Sequence, residues 1–342
     1  MRRTTLLPLL LFATALLPLP ASTEGPLNDE ACERIIEALV DLERTHSVLI
    51  THDGEPILEH DVAGPALDEP ANIKSVAKAV MSALVGAAIH HGVIEGPDQP
   101  VVELLGDALP ADADPRIAEI TVGHLLSMQA GLERTSGANY GAWVSSNDWV
   151  ADALTRPFVD EPGGRMLYST GNSHILSAAL THATGRSTLE LAREWLGNPL
   201  NIRIPAWDTD PQGIFFGGNN MLLSPRALAR IGELYHHDGE LNGNRILAAD
   251  WVETSWQPRT RSRFTGDAYG MGWFTTELAG ETVRYGWGYG GQFLHVIPDL
   301  GVTIVILSDP TPPAERSAHL RRVHTVIEQK IIPELPDTRP AL

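Results

Sequence analysis

The sequence predicts a fold of the α/β (α+β) class, in which an antiparallel sheet flanked by terminal helices lies beside a mostly helical domain. Near the start of the chain, two strand-like segments at 47–52 and 56–61 are joined by a tight turn at Asp53-Gly54. Further strand-like segments occur only in the last third of the chain, and the middle, from about 101 to 241, has helical segments punctuated by glycine, proline and tryptophan. Both ends of the chain are therefore expected to build one sheet.

The individual elements follow from local patterns. Asn28-Asp29 can cap a first helix over 29–45, in which apolar residues recur at helical spacing. The segment 75–91 is helical and almost entirely apolar, which predicts a buried helix. In the last third, the pattern predicts four strands and a terminal helix, at 271–277, 282–286, 293–297, 302–307 and 314–332.

Composition and charge limit the classes of function. The chain of 342 residues carries 25 Lys and Arg against 43 Asp and Glu, a formal charge of −18. This acidic balance argues against nucleic-acid binding, which needs clustered cations. The hydrophobic fraction of 43% is typical of a globular protein. Because the sequence has neither an H-E-x-x-H motif nor a Cys-His cluster, we expect no metal and no other cofactor.

The first residues have the pattern of a secretory signal peptide over 1–21. Arg2 and Arg3 precede an apolar run at 6–17, and the segment 18–21 resembles a cleavage region. The run is too short for a comfortable membrane span, and no second long apolar stretch follows. We therefore expect a periplasmic or secreted protein without a membrane span after cleavage; retention of the segment as an anchor is the alternative.

The remaining chain, 22–342, is expected to form one catalytic unit. Its α/β subdomain is predicted from about 27–74 and 255–332, and its mostly helical subdomain from about 75–254. The sequence leaves the oligomeric state open.

Ser75 and Lys78 carry the strongest chemical signal. A spacing of three residues places Lys78 on the same helical face as Ser75. An amine held in an apolar helix has its pKa lowered by desolvation, and a neutral lysine can take the proton of a nearby hydroxyl. The pair can therefore act as a nucleophile and its base. The alternative is a helix-capping serine followed by a lysine that extends to solvent.

Two further motifs follow in the chain. Tyr168-Ser169-Thr170 comes after Pro162-Gly163-Gly164, and Gly288-Tyr289-Gly290-Gly291 lies just before a predicted strand. Together with Ser75-x-x-Lys78 and the segment 120–132, these motifs resemble the serine hydrolases of the class C β-lactamase and penicillin-binding protein type. The resemblance covers most of the chain, from about 47 to 307.

This resemblance implies a β-lactamase/penicillin-binding-like fold with the active site between the two subdomains. It also implies that Ser75 attacks the substrate carbonyl and that Lys78 and Tyr168 share the acid–base work, in an order that the sequence leaves open. The oxyanion would be held by the backbone N–H groups of Ser75 and Gly291. The same resemblance assigns substrate contacts to Thr170, Gly288, Tyr289 and Gly290.

Two positions depart from the family pattern. Thr170 stands where the family has asparagine, and Gly288 stands where it has a lysine or histidine that helps to bind a substrate carboxylate. Arg284 is the candidate to replace that cation. The departures favour esterase or amidase members, including those that resemble 6-aminohexanoate-dimer hydrolase, and hence a small-molecule or peptide ester or amide as the substrate.

Two alternative functions remain open. A β-lactamase or D-Ala-D-Ala carboxypeptidase would need a cation in place of the third-motif lysine, for which Arg284 is the candidate. A non-catalytic binding protein could keep the same fold, because a fold alone does not establish an activity. The presence of Ser75, Lys78 and Tyr168 disfavours this last alternative.

Overall fold

A computed structural model describes residues 27–42, 44–311 and 317–335. The predicted signal peptide, 1–21, lies outside these described residues. The strands are β1 (Thr45–His52), β2 (Glu55–Asp61), β3 (Ala71–Asn72), β4 (Leu222–Leu223), β5 (Glu240–Leu241), β6 (Asn244–Arg245), β7 (Thr260–Arg261), β8 (Ala268–Tyr269), β9 (Phe274–Leu278), β10 (Glu281–Gly288), β11 (Gln292–Ile297) and β12 (Val302–Ser308).

Eight of these strands form the main sheet, in the order β2-β1-β12-β11-β10-β9-β8-β7. Every neighbouring pair is antiparallel. The first strand lies beside the last, with Val48 opposite Ile306. The predicted fold class, with one antiparallel sheet built from both ends of the chain, is therefore confirmed.

The helices are α1 (Asp29–Val40), α2 (Ala77–His90), α3 (Val102–Leu105), α4 (Val122–Leu126), α5 (Tyr140–Val144), α6 (Trp149–Leu154), α7 (Thr170–Thr184), α8 (Thr188–Ala192), α9 (Asn198–Leu200), α10 (Pro225–His236), α11 (Trp251–Trp256) and α12 (Ser317–Val326). As predicted, Asn28 caps α1, and its Oδ1 accepts the N–H of Ala31 at 2.8 Å. The helix ends at Val40, earlier than the predicted 45, because Thr45 already belongs to β1. In the described part of the chain, no helix combines the length and apolar character needed to cross a bilayer.

The two faces of the main sheet have separate cores. On one face, apolar residues of α1 and α12, such as Ile35 and Val323, pack with Val48 and Ile304 of the sheet. On the other face, Leu294 and other strand residues join a larger core with the helical part of the chain. Helix α2 lies within this larger core, and all of its residues from Ala77 to Ala88 are buried. A polar side chain near the start of α2 therefore lies between the main sheet and the helical part of the chain.

His295 is buried between the main sheet and α12, and the half-buried His324 of α12 lies against it. His295 on β11 stacks between Tyr285 and Phe293, with ring centroids at 5.7 and 5.4 Å, and neither of its ring nitrogens has a hydrogen-bond partner among the described residues. Burial holds the pKa of His295 well below its usual range, and the neighbouring His324 adds to the shift. Burial also lowers the pKa of His324 to about 4, although the charges of Asp267 and Glu328 oppose that shift.

These histidines predict that the fold is sensitive to acid. Both stay neutral in the folded chain, whereas unfolded histidine takes up a proton near pH 6.5. Stability is therefore full above about pH 6.5 and is lost as the pH falls toward the folded values. We expect the free energy of unfolding, measured by urea titration, to fall between pH 7 and pH 5 by about 2 kcal/mol for each of the two histidines. His295→Phe should reduce this dependence by about half, because His324 still contributes, and an unchanged slope in that variant would contradict the assignment.

Candidate active site

Ser75 lies at the start of α2, in a cleft between the main sheet and the helical region. The sequence predicted that it opens an α-helix; it lies instead in a 3₁₀ turn, Lys74–Val76, that leads into α2. Lys74 adopts a left-handed backbone conformation with φ of 50°, which is costly for a residue with a side chain. The turn is held by the Lys74 N–H, which donates to Oδ1 of Asn72 at 3.0 Å. Ser75 is thus presented on a sharp, fixed turn.

Lys78 lies one helical turn further on, and its amine reaches the Ser75 hydroxyl. The Nζ–Oγ distance is 3.1 Å. Nζ also donates to the carbonyl oxygen of Gly218 at 2.7 Å and approaches Oγ1 of Thr170 at 3.4 Å. A neutral amine has two N–H groups and one lone pair, so two acceptors and one hydroxyl donor match it completely. The geometry therefore suits an amine that accepts the proton of Ser75.

Burial supplies the reason for such a neutral amine. The Lys78 side chain is 2% exposed, and desolvation alone lowers its pKa to about 7. No carboxylate in the described chain acts on this charge to restore the usual value. A substantial fraction of Lys78 is thus uncharged near neutral pH.

Gly218 can reach Lys78 because it has no side chain. A Cβ on Gly218 would lie 2.8 Å from Cβ of Ser173 on α7 and 3.3 Å from Nζ of Lys78. The chain therefore passes close against α7 and points its carbonyl at the amine. Sequence analysis did not identify Gly218, because its partner is 140 positions away in the chain.

Tyr168 completes the group around Ser75. It lies just before α7 and lines the cleft together with Ser75, and its ring lies 5.0 Å from Nζ of Lys78. Burial raises the pKa of Tyr168 to about 12, although the nearby Ser75 side chain partly opposes the shift. The phenol is therefore protonated at neutral pH and can donate a proton. The structure brings Ser75, Lys78 and Tyr168 together, as the sequence predicted.

Thr170, a predicted substrate contact, also bonds to the residues around Lys78. It lines the cleft, but it is 4% exposed. Its hydroxyl lies 3.0 Å from Oγ of Ser136 and 3.4 Å from the Lys78 amine. The Thr170 N–H also donates to Oγ of Ser136 at 2.9 Å. Thr170 thus supports Lys78, and Ser136, which sequence analysis missed, supports Thr170.

The third motif forms a hairpin turn. Gly288 is the last residue of β10, and Tyr289–Gly291 connect it to β11, so the expected strand edge ends one residue into the motif. A Cβ on Gly288 would lie 2.6 Å from the carbonyl oxygen of Ile73 and 3.0 Å from Cβ of Lys74. Both neighbours belong to the segment that carries Ser75. Close approach of two backbones, therefore, requires glycine at 288.

The predicted oxyanion donors are both near the cleft. Gly291 lines it, and its N–H makes a long bond of 3.3 Å to the carbonyl oxygen of Gly288. An oxyanion would have to replace this bond. The Ser75 N–H donates to no backbone carbonyl of a described residue. Gly290 also lines the cleft, and the ring of Tyr289, 55% exposed, stands at its mouth.

Arg284 does not supply the missing cation of the third motif. Its guanidinium donates to the carbonyl oxygen of Trp256 at 3.1 Å and to Oγ1 of Thr275 at 2.6 Å, and it stacks 5.4 Å from the Trp256 ring. It is absent from the residues that line the cleft. The sequence of β10 alone does not show where the Arg284 side chain points. Its partner Trp256 belongs to α11, outside the main sheet.

The cleft itself has a volume of about 770 Å³. Its sheet wall is aromatic, with Phe264, Phe274, Trp287 and Tyr289. Its helical wall is polar and includes Arg134, Ser136, Tyr140 and Asn219. Ser75 and Tyr168 thus face a cleft that is large enough for a small molecule.

Comparison with known proteins gives matches over most of the chain. A family model described as Beta-lactamase matches residues 33–327. The 6-aminohexanoate-dimer hydrolase of Paenarthrobacter ureafaciens is 26% identical over 302 residues, which cover 80% of this chain and 75% of that protein.

Solved structures agree on the fold. A penicillin-binding protein homologue from Caulobacter crescentus has a TM-score of 0.73 at 17% identity, over 90% of this chain and 99% of its own. EstCE1, a hydrolase with promiscuous acyltransferase activity, has a TM-score of 0.71 at 19% identity, over 87% of this chain and 98% of its own. At these identities the likeness concerns the fold alone, which is the one that the sequence predicted.

Proposed function

Because the chain belongs to the beta-lactamase family, whose members here include hydrolases, we propose that it is an exported serine hydrolase acting on ester or amide bonds through an acyl-enzyme. The observation that carries the proposal is the 3.1 Å contact between the Lys78 amine and the Ser75 hydroxyl. The amine is buried, and desolvation alone accounts for its lowered pKa. Export, to the periplasm or the medium, rests on the signal-peptide pattern at 1–21.

Acylation begins at Ser75. Lys78 Nζ takes the proton of the Ser75 hydroxyl as Oγ forms a bond to the substrate carbonyl carbon, whose oxygen becomes the oxyanion. The backbone N–H groups of Ser75 and Gly291 stabilise that charge. The C–O or C–N bond then breaks, and the leaving group takes a proton from the Tyr168 hydroxyl. The Lys78 ammonium returns its proton to Tyr168, so the centre is restored.

Deacylation runs the same steps in reverse. A water molecule takes the place of the leaving group and gives a proton to the Tyr168–Lys78 pair as its oxygen attacks the acyl carbonyl carbon. The new oxyanion forms at the same N–H groups. Collapse breaks the Oγ–C bond, returns a proton to Ser75 and releases the acid. The low pKa of about 7 for Lys78 and the high pKa of about 12 for Tyr168 support this order of roles, with Lys78 as base and Tyr168 as acid.

Ester and amide substrates are favoured over β-lactams by the third motif. The family cation that binds a β-lactam carboxylate has no side-chain position at Gly288, where Ile73 fills the space, and Arg284 is bonded elsewhere. The activities of two similar proteins, 6-aminohexanoate-dimer hydrolysis and acyl transfer by EstCE1, fit acyl chemistry outside the β-lactams.

A fluorophosphonate probe tests the proposal directly. We expect one covalent adduct on the wild-type chain by intact mass, and no adduct on Ser75→Ala, because only an activated hydroxyl attacks the phosphorus. Ser317→Ala is the matched control, since it removes another serine hydroxyl from the same cleft, and it should still be labelled. A folded, monodisperse wild-type chain that acquires no adduct would support the non-catalytic alternative and overturn the proposal.

The same protein then decides the substrate class. We expect hydrolysis of ester and amide substrates and slow or no hydrolysis of a chromogenic cephalosporin. Turnover of the cephalosporin at the rate of a dedicated lactamase would instead establish the β-lactamase alternative.

A further inference from the structure

The cleft beside Ser75 has a charge opposite to that of the whole chain. The chain carries a formal charge of −18. Yet among the described residues that line the cleft there is no aspartate or glutamate, while Arg44, Lys74 and Arg134 all line it. Cations gathered in a cleft concentrate the local potential and attract an anion.

Arg44 is the least available of these cations. Its backbone carbonyl accepts the N–H of Asp309 at 2.8 Å, and its charge acts on the Asp309 carboxylate. Arg44 therefore already has a negative neighbour, at the end of the cleft formed by the sheet.

Lys74 and Arg134 are available to a ligand. Within the described ranges, neither side chain makes a salt bridge or a side-chain hydrogen bond. Asp208 is the carboxylate whose charge acts on Lys74, but its Oδ2 accepts from Nδ2 of Asn220 at 2.7 Å. Burial lowers the pKa of Lys74, because the charge of Asp208 only partly offsets the loss of hydration of the amine.

Both cations lie next to the reacting group. Lys74 directly precedes Ser75, and its Cβ lies 3.0 Å from the position a Cβ on Gly288 would take. Arg134 is two residues before Ser136, whose hydroxyl holds Thr170 and, through it, Lys78. The opposite wall is aromatic, and Phe264 there is 43% exposed.

We propose that the cleft takes esters or amides that carry a carboxylate, and that Lys74 and Arg134 bind this carboxylate on the helical side while the aromatic wall holds an apolar group. This inference rests on the proposed function, since it names the substrate class of the same site. Lys74 offers its cation from the turn before the nucleophile and not from the third motif, so a carboxylate bound there is placed differently from that of a β-lactam held by the family cation.

The test compares two reversible probes that differ in charge. Phenylboronic acids with a 3-carboxyl or a 3-carbamoyl group have nearly the same size, and both bond to an activated serine. Each is titrated against fluorophosphonate labelling of the full chain, which gives an inhibition constant without any turnover. We expect the carboxyl probe to bind about tenfold more tightly than the carbamoyl probe, as one charge-assisted contact in a partly exposed cleft would give.

Substitutions identify the residues responsible. Lys74→Gln and Arg134→Gln should each reduce the preference severalfold, and the double variant should abolish it, with smaller changes for the carbamoyl probe. Arg44→Gln removes a cation from the same cleft and should leave the preference unchanged. Raising the salt concentration should weaken the preference in the wild type.

Three outcomes separate the inference from its premise. Equal binding of the two probes, or a preference that survives in the double variant, would overturn the inference and leave the hydrolase intact. Loss of the preference in Arg44→Gln would transfer the contact to Arg44 and overturn the assignment of Lys74 and Arg134. Failure of the wild type to react with fluorophosphonate would overturn the proposed function itself. If Lys74→Gln does not fold, Arg134→Gln still decides, because its side chain has no bond to lose within the described chain.

Discussion

Replacing Lys78 by methionine is expected to reduce the rate of acylation by about a thousandfold, in the range that a positioned base contributes. Methionine fills the same buried volume beside Thr170 and Gly218 but has no lone pair that can take the Ser75 proton. The rate is measured as fluorophosphonate labelling by intact mass, and as kcat/KM on an ester. A decrease of less than tenfold would show that another group accepts the proton.

The pH dependence distinguishes a base from a structural lysine. The neutral form of Lys78 accumulates as the pH rises through its pKa of about 7, so the wild-type rate should rise up to about that pH and then level off. In Lys78→Met this rise should disappear. Lys330→Met is the matched control, because Lys330 is exposed on the terminal segment, and it should leave both the rate and the pH profile unchanged.

The main sheet could be predicted because its strands are bounded by local turn chemistry. The Asp53-Gly54 turn fixes the first hairpin, and 302–307 was placed within one residue of β12. Helix ends were less accurate, as at Val40, because tertiary pairing of Thr45 with Ser308 decides where the chain becomes a strand. The small strands β3 and β4 pair across 150 positions of the chain, which no local pattern indicates.

In the candidate site, too, contacts between residues close in the sequence could be predicted, and contacts between distant segments could not. The Ser75–Lys78 contact follows from a spacing of three residues and is local. Tyr168 came from the resemblance, since its distance to Ser75 depends on how α7 packs on α2. The partners of Lys78 at Gly218 and of Thr170 at Ser136 are set by loops that meet only in the fold.

The scarcity of lysine draws attention to Lys78, but the sequence analysis assigned no role to Lys74. Three lysines occur in the chain, and Lys74 is adjacent to the nucleophile. The third-motif glycine was interpreted as the loss of a cation. In the structure, the backbone segment that carries Lys74 occupies the space in which a side chain at position 288 would lie.

That arrangement predicts the effect of adding a side chain at 288. A Cβ there would lie 2.6 Å from the Ile73 carbonyl oxygen and 3.0 Å from Cβ of Gln292, so backbone on one side and a strand residue on the other must shift. We expect Gly288→Ala to lower the free energy of unfolding by about 1–3 kcal/mol, as overpacking does. It should also slow labelling of Ser75 on the order of a hundredfold, because a displacement near 1 Å misaligns the nucleophile.

Gly141→Ala is the matched control for this substitution. A Cβ on Gly141 meets no atom within 4 Å, and the residue lies in α5, so the variant should keep wild-type stability and labelling. Gly288→Lys separates the two interpretations of the third motif. If Gly288 were only a lost cation, lysine would restore binding of β-lactam carboxylates; if packing against Ile73 requires glycine, the lysine variant should be at least as impaired as Gly288→Ala. A gain of β-lactam hydrolysis in a stable Gly288→Lys chain would therefore show that packing against Ile73 does not require glycine at 288.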